Sequence, residues 1–453
     1  MSTRADVVRV SLPLVVGMST TLVMTFTDRI FLANYSLDAI AAAMPAGIVV
    51  FLFYNFLADT AGYINVFIAQ YTGAGAEERV GRALWQGIYF AILAWVPMLL
   101  LSLLAVPLFR LGGHAPEVQE LEVIYFRVLC YGAGLPVLST ALSCFFTGRG
   151  VTRPVMMIHG AGMCFNIPLD YALINGIGPF PEWGVKGAAV ATVCAYGVMA
   201  LLLGILVFSR QHDRVYGVRR QRQFDGRLFR RILRFGLPAS LQFSVDVLAF
   251  AFFIFMVGRL GKTELAVTNI AIALEGIAFR PLMGFALGTT TLVGLALGKN
   301  RPDKALAAAK ATLGITIPFF GLVMLLFLFF PHPLIMLFKP RNLTPQEFAL
   351  VLEMGTLALR FIAFYLVFDA FYMISTAVLK GAGDTRFIFL SCLAVSLCTM
   401  IIPLYVGLEI FEAGFYYAWG CVVAFAIMLA VVSVGRVWQG NWKAMRVVES
   451  DVF

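Results

Sequence analysis

Apolar residues in this chain are gathered into long runs, each bounded by short polar or glycine-rich segments. Residues 87–109, 188–208, 313–338, 387–408 and 415–435 are nearly uninterrupted. Residues 12–33, 45–71, 155–175, 238–258, 265–298 and 350–379 have the same length and apolar character but carry acid within the run, and 123–146 completes the set. A run of roughly 20 apolar residues is what a helix needs to cross a bilayer. The pattern therefore predicts an all-α polytopic membrane protein of about twelve transmembrane helices. A membrane β-barrel would show short alternating segments instead, and none is seen. Gly and Pro recur inside the runs. Membrane helices tolerate them because neighbouring helices re-satisfy the freed backbone groups.

Composition agrees. Of 453 residues, 60% are hydrophobic and 13% charged, against about 25% charged in a soluble domain. The first run is too long for a signal-peptide core and no small-residue cleavage site follows it, so 12–33 is expected to remain as the first span. Cys130, Cys144, Cys164, Cys194, Cys392, Cys398 and Cys421 fall in predicted helices without zinc-ligand or redox spacing. They read as small packing residues, and no cofactor is expected.

The net charge of +9 changes the picture by giving an orientation. Its main source is the segment between spans six and seven, with Arg210, Arg214, Arg219, Arg220, Arg222, Arg227, Arg230, Arg231 and Arg234. Basic loops stay in the cytoplasm, so this charge is a topology signal and no nucleic-acid partner is implied. Loops 73–82, 148–153, 299–304 and 380–386 fall on the same side, while Asp38, Glu117, Glu120, Glu182, Glu409 and Glu412 mark the other. Both termini are then cytoplasmic, in a plasma (inner) membrane. Asn34-Tyr-Ser36 and Asn342-Leu-Thr344 fit glycosylation sequons in outer loops.

The halves repeat. Leu12-Pro13 matches Leu237-Pro238, and the loop 73–79 matches 298–304, both at an offset of 225. Gly148-Arg-Gly150-Val-Thr152-Arg153 matches Gly381-Ala-Gly383-Asp-Thr385-Arg386 at an offset of 233. Six spans per half put both halves in the same orientation, related by a pseudo-two-fold axis along the membrane normal. The expected organisation is an N-lobe (1–209), a basic linker (210–230) and a C-lobe (231–453). The G-x-G-x-T-R loops read as tight turns with an interfacial Arg. No phosphate loop or dinucleotide fingerprint is present, so any pumping must run on ion gradients or through a partner.

Acids at membrane depth mark function by default. The candidates are Asp28, Asp59, Asp170, Asp246, Glu275 and Asp369. Under the repeat they face Phe253, Gly284, Pro403, Thr21, Val50 and Pro136, so none is duplicated. Acids serving only the shared fold would recur, and lobe-specific chemistry is the inference. Asn166 and Asp170, Gln242 and Asp246, Tyr365 and Asp369, and Asn55 and Asp59 each share a helix face at i, i+4. His159 lies on the stripe of Asn166 and reads as an interior hydrogen-bonded residue.

Thr27-Asp28-Arg-Ile-Phe-Leu-Ala33, Ala69-Gln70-Tyr-Thr-Gly73-Ala-Gly75, Asn166-Ile-Pro-Leu-Asp170, Gly184-Val-Lys-Gly187-Ala-Ala-Val-Ala-Thr192, Val293-Gly294-Leu-Ala-Leu-Gly298 and Leu379-Lys-Gly381-Ala-Gly383-Asp-Thr385 occur in this order. Through them the chain resembles the multidrug and toxic compound extrusion (MATE) transporters, nearer the NorM-like type. The resemblance implies a secondary antiporter, not an enzyme. It would export organic cations or amphipathic small molecules by alternating access, in exchange for protons and/or sodium. It implies an N-lobe protonation site of Asp28, Asn166, Asp170 and Thr192. It also implies a C-lobe cation site of Asp246 and Asp369, where sodium is a candidate ligand. NorM-like members usually carry Glu in span seven, so Asp246 is a departure. Asp59, Gln242, Glu275 and Tyr365 are candidates for lining a substrate cavity. The protein is expected to act as a monomer in contact with membrane lipid.

Two other readings stand beside this one. A lipid-linked oligosaccharide flippase of the same superfamily would need a basic cavity, whereas the interior charges here are mostly acidic, Arg280 excepted. A membrane-embedded enzyme would need a metal, carboxylate-pair or Ser/His motif, and none appears.

Overall fold

The computed structural model describes residues 4–338 and 345–450. The Asn342–Thr344 sequon lies outside them. The described residues are helical with short connections. Eleven helices are long and apolar enough to cross a membrane. They are α1 (Arg4–Tyr35), α2 (Leu37–Ala74), α3 (Glu77–Leu103), α4 (Pro116–Thr147), α6 (Val185–Val207), α7 (Gly226–Leu260), α8 (Lys262–Gly298), α9 (Pro302–Phe329), α10 (Pro345–Ala382), α11 (Thr385–Ile410) and α12 (Phe415–Gln439). The twelfth, α5 (Arg153–Asn175), has 23 residues and holds the interior His159, Asn166 and Asp170. Local signals place the ends. Ser36 caps α2 by accepting from the Ala39 N–H at 3.0 Å, and Pro116 and Pro302 sit in the first turns of α4 and α9, where their missing N–H costs nothing. Exposed Phe26, Leu100, Ile205, Phe255, Leu322 and Val431 lie along the spans. They belong to the apolar surface that a bilayer covers.

The chain divides into two compact units. The first holds Val16–Ser240, Gly298–Asn300 and the segment from Val447; the second holds the segment up to Val15, Leu241–Leu297 and Arg301–Arg446. Each of the long helices α1 and α7 is therefore shared, and the changeovers at Val15 and Ser240 are separated by the repeat offset of 225.

Packing inside each unit explains why these positions correspond. In the second unit, Gly284 and Gly288 of α8 lie against Val15 and Ser11 of α1. In the first unit, the crossing is made with the small residue on the other helix. Gly236 of α7 lies against Thr60 and Tyr63 of α2, and the Thr60 and Ser240 hydroxyls are 2.7 Å apart. Small residues let membrane helices approach closely enough for backbone contact.

The G-x-G-x-T loops repeat in three dimensions as well. Gly148 sits on Asn65 and Ile68 of α2, and Gly381 sits on Thr290 and Val293 of α8. The second glycine of each motif, Gly150 (φ 74) and Gly383 (φ 100), makes a left-handed turn into the next helix. The reading of these loops as structural turns therefore holds. The loops after α2 and α8 match too: Gly75 (φ 76) and Asn300 (φ 55) are both left-handed and 225 apart. Asn is among the few non-Gly residues that adopt this conformation readily.

Candidate functional site

Five of the six unduplicated acids gather within the units in two dissimilar clusters. In the first unit, α1 supplies Asp28, α4 supplies Tyr125, and α5 supplies Asn166 and Asp170. All four are buried, Asp170 completely. Pro168 lies between Asn166 and Asp170 in α5. The i, i+4 spacing keeps the two side chains on one face. Tyr125 donates to Oδ2 of Asp28 over a long 3.5 Å, and Asp28 and Asp170 act on each other electrostatically. Oδ1 of Asp28, both carboxylate oxygens of Asp170 and both amide atoms of Asn166 have no hydrogen-bond partner. A buried polar atom left unpaired costs about 1–3 kcal/mol. A cation or proton entering this cluster would therefore meet acceptors that no protein donor occupies. Thr192 is half-buried on α6, which packs along α5, and no hydrogen bond joins it to Asn166 or Asp170 among the described residues. Asp59 is exposed on α2 and is not among the groups acting on Asp28 or Asp170.

In the second unit the arrangement is the reverse. Asp246 of α7 is surrounded by donors. The Gln242 amide and the Tyr372 hydroxyl both donate to Oδ2, the latter at 2.8 Å, and the Cys392 thiol donates to Oδ1 at 3.0 Å. The Gln242 amide also donates to the Tyr372 hydroxyl at 2.8 Å, which leaves Oε1 of Gln242 as a buried acceptor without a donor. Three donors thus converge on the one carboxyl group. Beside it, Tyr365 of α10 donates to Oε1 of Glu275 of α8 at 2.6 Å. Asp369 feels both Glu275 and Asp246 electrostatically. Tyr365, Asp369 and Tyr372 fall at i, i+4 and i+7 on α10 and so share one face. Among the described residues, no three His, Cys, Asp or Glu side chains are grouped as a metal site would be.

The MatE family profile matches residues 13–172 and 238–406, which is most of both halves. The chain belongs to the MatE family. Members of this family are transporters, and this chain is an integral membrane transporter rather than an enzyme. A probable multidrug resistance protein NorM from Thermotoga maritima is 26% identical over 99% of this chain and 95% of its own length. The multidrug resistance protein MdtK of Pectobacterium atrosepticum is 28% identical over 71% of this chain and 69% of its own. The same fold is seen in a MOP superfamily transporter from Pyrococcus furiosus (TM-score 0.87, 23% identity, 98% of this chain and 97% of that one). It is also seen in an outward-facing multidrug resistance MATE family transporter (TM-score 0.86, 24% identity, 98% and 97%). The two-lobe, all-helical MatE architecture expected from the sequence is therefore present.

Within this MatE member, residue-level reading found the acids but missed several of their partners. Tyr372 could have been found, since it lies three residues after Asp369. Tyr125 lies on a helix with no other candidate, and only the fold brings it to Asp28. In sequence Cys392 reads as one of the packing cysteines. Buried it is, but its thiol is a hydrogen-bond donor to Asp246. Glu275 partners Tyr365, and His159 hydrogen-bonds the backbone of Gly17.

Proposed function

We propose that this transporter is a secondary active multidrug efflux antiporter. It exports organic cations or amphipathic compounds in exchange for protons and/or sodium, by alternating access. The observation that carries this reading is the pair of buried acid clusters, one in each unit, with no nucleotide-binding motif in the chain. Relatives named as multidrug resistance proteins support the cargo class. Two lobes (1–209 and 231–453), joined by the basic linker 210–230, would expose the acids to each side in turn. The protein would work as a monomer in a plasma (inner) membrane, with both termini in the cytoplasm.

In this scheme Asp28, Asn166 and Asp170, with Thr192 nearby, take up the proton. Their unpartnered atoms suit a mobile ligand. Asp246 and Asp369 form the cation-responsive site of the other lobe. The free Oε1 of Gln242 adds a neutral oxygen of the kind a monovalent cation uses. Glu275 and Tyr365 flank that site, and Asp59 is a candidate for the wall of the cargo cavity. An ion or drug shifts the inward–outward equilibrium only by its differential affinity for the two states. Antiport therefore requires that ion and drug favour opposite states or compete for the same acids. The interior acids favour cationic cargo over a pyrophosphate-linked lipid.

The test is efflux of a cationic dye from proteoliposomes under separately imposed pH and sodium gradients. Acceleration by at least one gradient is expected. Dye movement indifferent to both would overturn the antiport reading.

A further inference from the structure

The basic segment between α6 and α7 looks in sequence like a flexible connector. In the fold it is a fixed ledge on the first unit. The Trp85 indole donates to the Val218 carbonyl at 2.6 Å, and the Tyr89 hydroxyl donates to the Arg222 carbonyl. The fully buried Gln86 donates to the Gln223 carbonyl at 3.1 Å and accepts from the Asp225 N–H at 3.2 Å. At its start, Arg210–Tyr216 form a short helix capped by Ser209. Arg149, at the end of α4, pins that helix by stacking 4.7 Å from the Tyr216 ring while also lying 3.9 Å from the Phe145 ring.

This anchoring uses the inward side and leaves a row of cations outward. Arg210 and Arg214 share one face of the short helix, and Arg227, Arg230 and Arg234 share one face of the first turns of α7. Arg222 lies between the two rows. All six are exposed, and no acidic side chain pairs with any of them among the described residues. Two apolar side chains stand exposed among them, Val215 and Phe224, the latter 61% accessible. Both ends of the ledge are the ends of membrane spans, so the cations and the exposed apolar side chains lie at the height of the bilayer surface.

We propose that this ledge is a binding surface for anionic phospholipid headgroups of the leaflet on the basic side. The guanidinium rows take the phosphates, and Val215 and Phe224 enter the acyl boundary. Cations alone would suit any polyanion. Exposed apolar groups among them, on a backbone anchored beside two spans, fit a lipid surface in particular. The inference uses only the membrane-spanning character of the chain and is independent of the antiport reading.

The test uses the full-length protein, delipidated in detergent and titrated with short-chain phosphatidylglycerol, phosphatidylcholine, inorganic phosphate or a short RNA, with Tm as the readout. Phosphatidylglycerol should raise Tm saturably, and less so as salt is added; the other three should not. Each Arg→Gln change should weaken the response about five-fold, and Arg214→Gln/Arg222→Gln/Arg230→Gln together about a hundred-fold. The corresponding Arg→Lys triple should keep most of it. If the triple Gln variant does not insert, Arg222→Gln alone is read. Equal protection by phosphatidylcholine, phosphate or RNA overturns the proposal. So does a wild-type lipid response in Arg222→Gln and in the triple variant.

Discussion

The Cys392 thiol donates to Oδ1 of Asp246 at 3.0 Å, while Tyr372 holds Oδ2 at 2.8 Å. Asp170, the buried acid of the other unit, has no donor on either oxygen. Two interior aspartates of one transporter are thus prepared oppositely, one held by donors on both oxygens and one left open. The consequences can be separated by substitution.

Asp→Asn should affect stability differently at the two sites. At Asp170 it replaces a carboxyl group that has no hydrogen-bond partner, so the cost should stay within about 1 kcal/mol. At Asp246 the new amide hydrogens face existing donors, and each stranded donor costs about 1–3 kcal/mol. Thermal unfolding in detergent should show the lower Tm for Asp246→Asn. A lower Tm for Asp170→Asn would mean that the donor pattern is misread.

Tyr372→Phe should tighten the apparent affinity for the coupling ion by about ten-fold or more, since it removes a donor that competes with an incoming proton or cation for Oδ2, and a hydrogen bond to a charged group is worth about 1.5–3 kcal/mol. Cys392→Ala should do less, because S–H is a weak donor. The half-saturating ion concentration for dye efflux reads both. Equal, negligible effects would remove Asp246 from the ion site.

Gly284→Val should lower stability by about 1–3 kcal/mol through overpacking, because a Cβ there meets the backbone of Val15 at 2.8 Å. Gly276→Ala on the same helix has open space around its Cβ and should gain about 0.5–1 kcal/mol. Comparing the two melting temperatures separates close helix crossing from general helix propensity.

Deleting the chain from Val447 onward should destabilise more than Glu449→Gln. Val447 and Val448 are buried, and the Val447 N–H donates to the buried Gln70 side chain at 2.9 Å. A fully buried Val contributes about 1.5–3 kcal/mol. Glu449 pairs with Arg79 at 3.2 Å in a partly exposed site, where such pairs give about 0–1 kcal/mol. Melting temperatures of the two variants order the contributions.

Much of this was legible in the chain. Apolar run length predicted each of the eleven helices long and apolar enough to cross a membrane, and it also located the helix α5 with its interior polar residues. The offset of 225 predicted that the segments around Pro13 and Pro238 would correspond, and the offset of 233 paired the two glycine turns. Periodicity also put Asn166 with Asp170 and Gln242 with Asp246. What it could not supply is which helices meet. Tyr125 with Asp28, Cys392 with Asp246 and Tyr365 with Glu275 are partners across helices, fixed by packing rather than by spacing. The fixed ledge at 210–225 was illegible for a related reason: its anchors, Trp85, Gln86 and Tyr89, lie on α3, more than a hundred residues away.

The central claim is that the unduplicated acids of the two clusters couple ion entry to cargo exit. The most direct measurement is gradient-driven efflux of a cationic dye from proteoliposomes containing wild type, Asp28→Asn or Asp369→Asn, each checked for insertion and folding. The account predicts that both variants insert and fold but lose gradient-driven efflux. Wild-type efflux in both variants would contradict it.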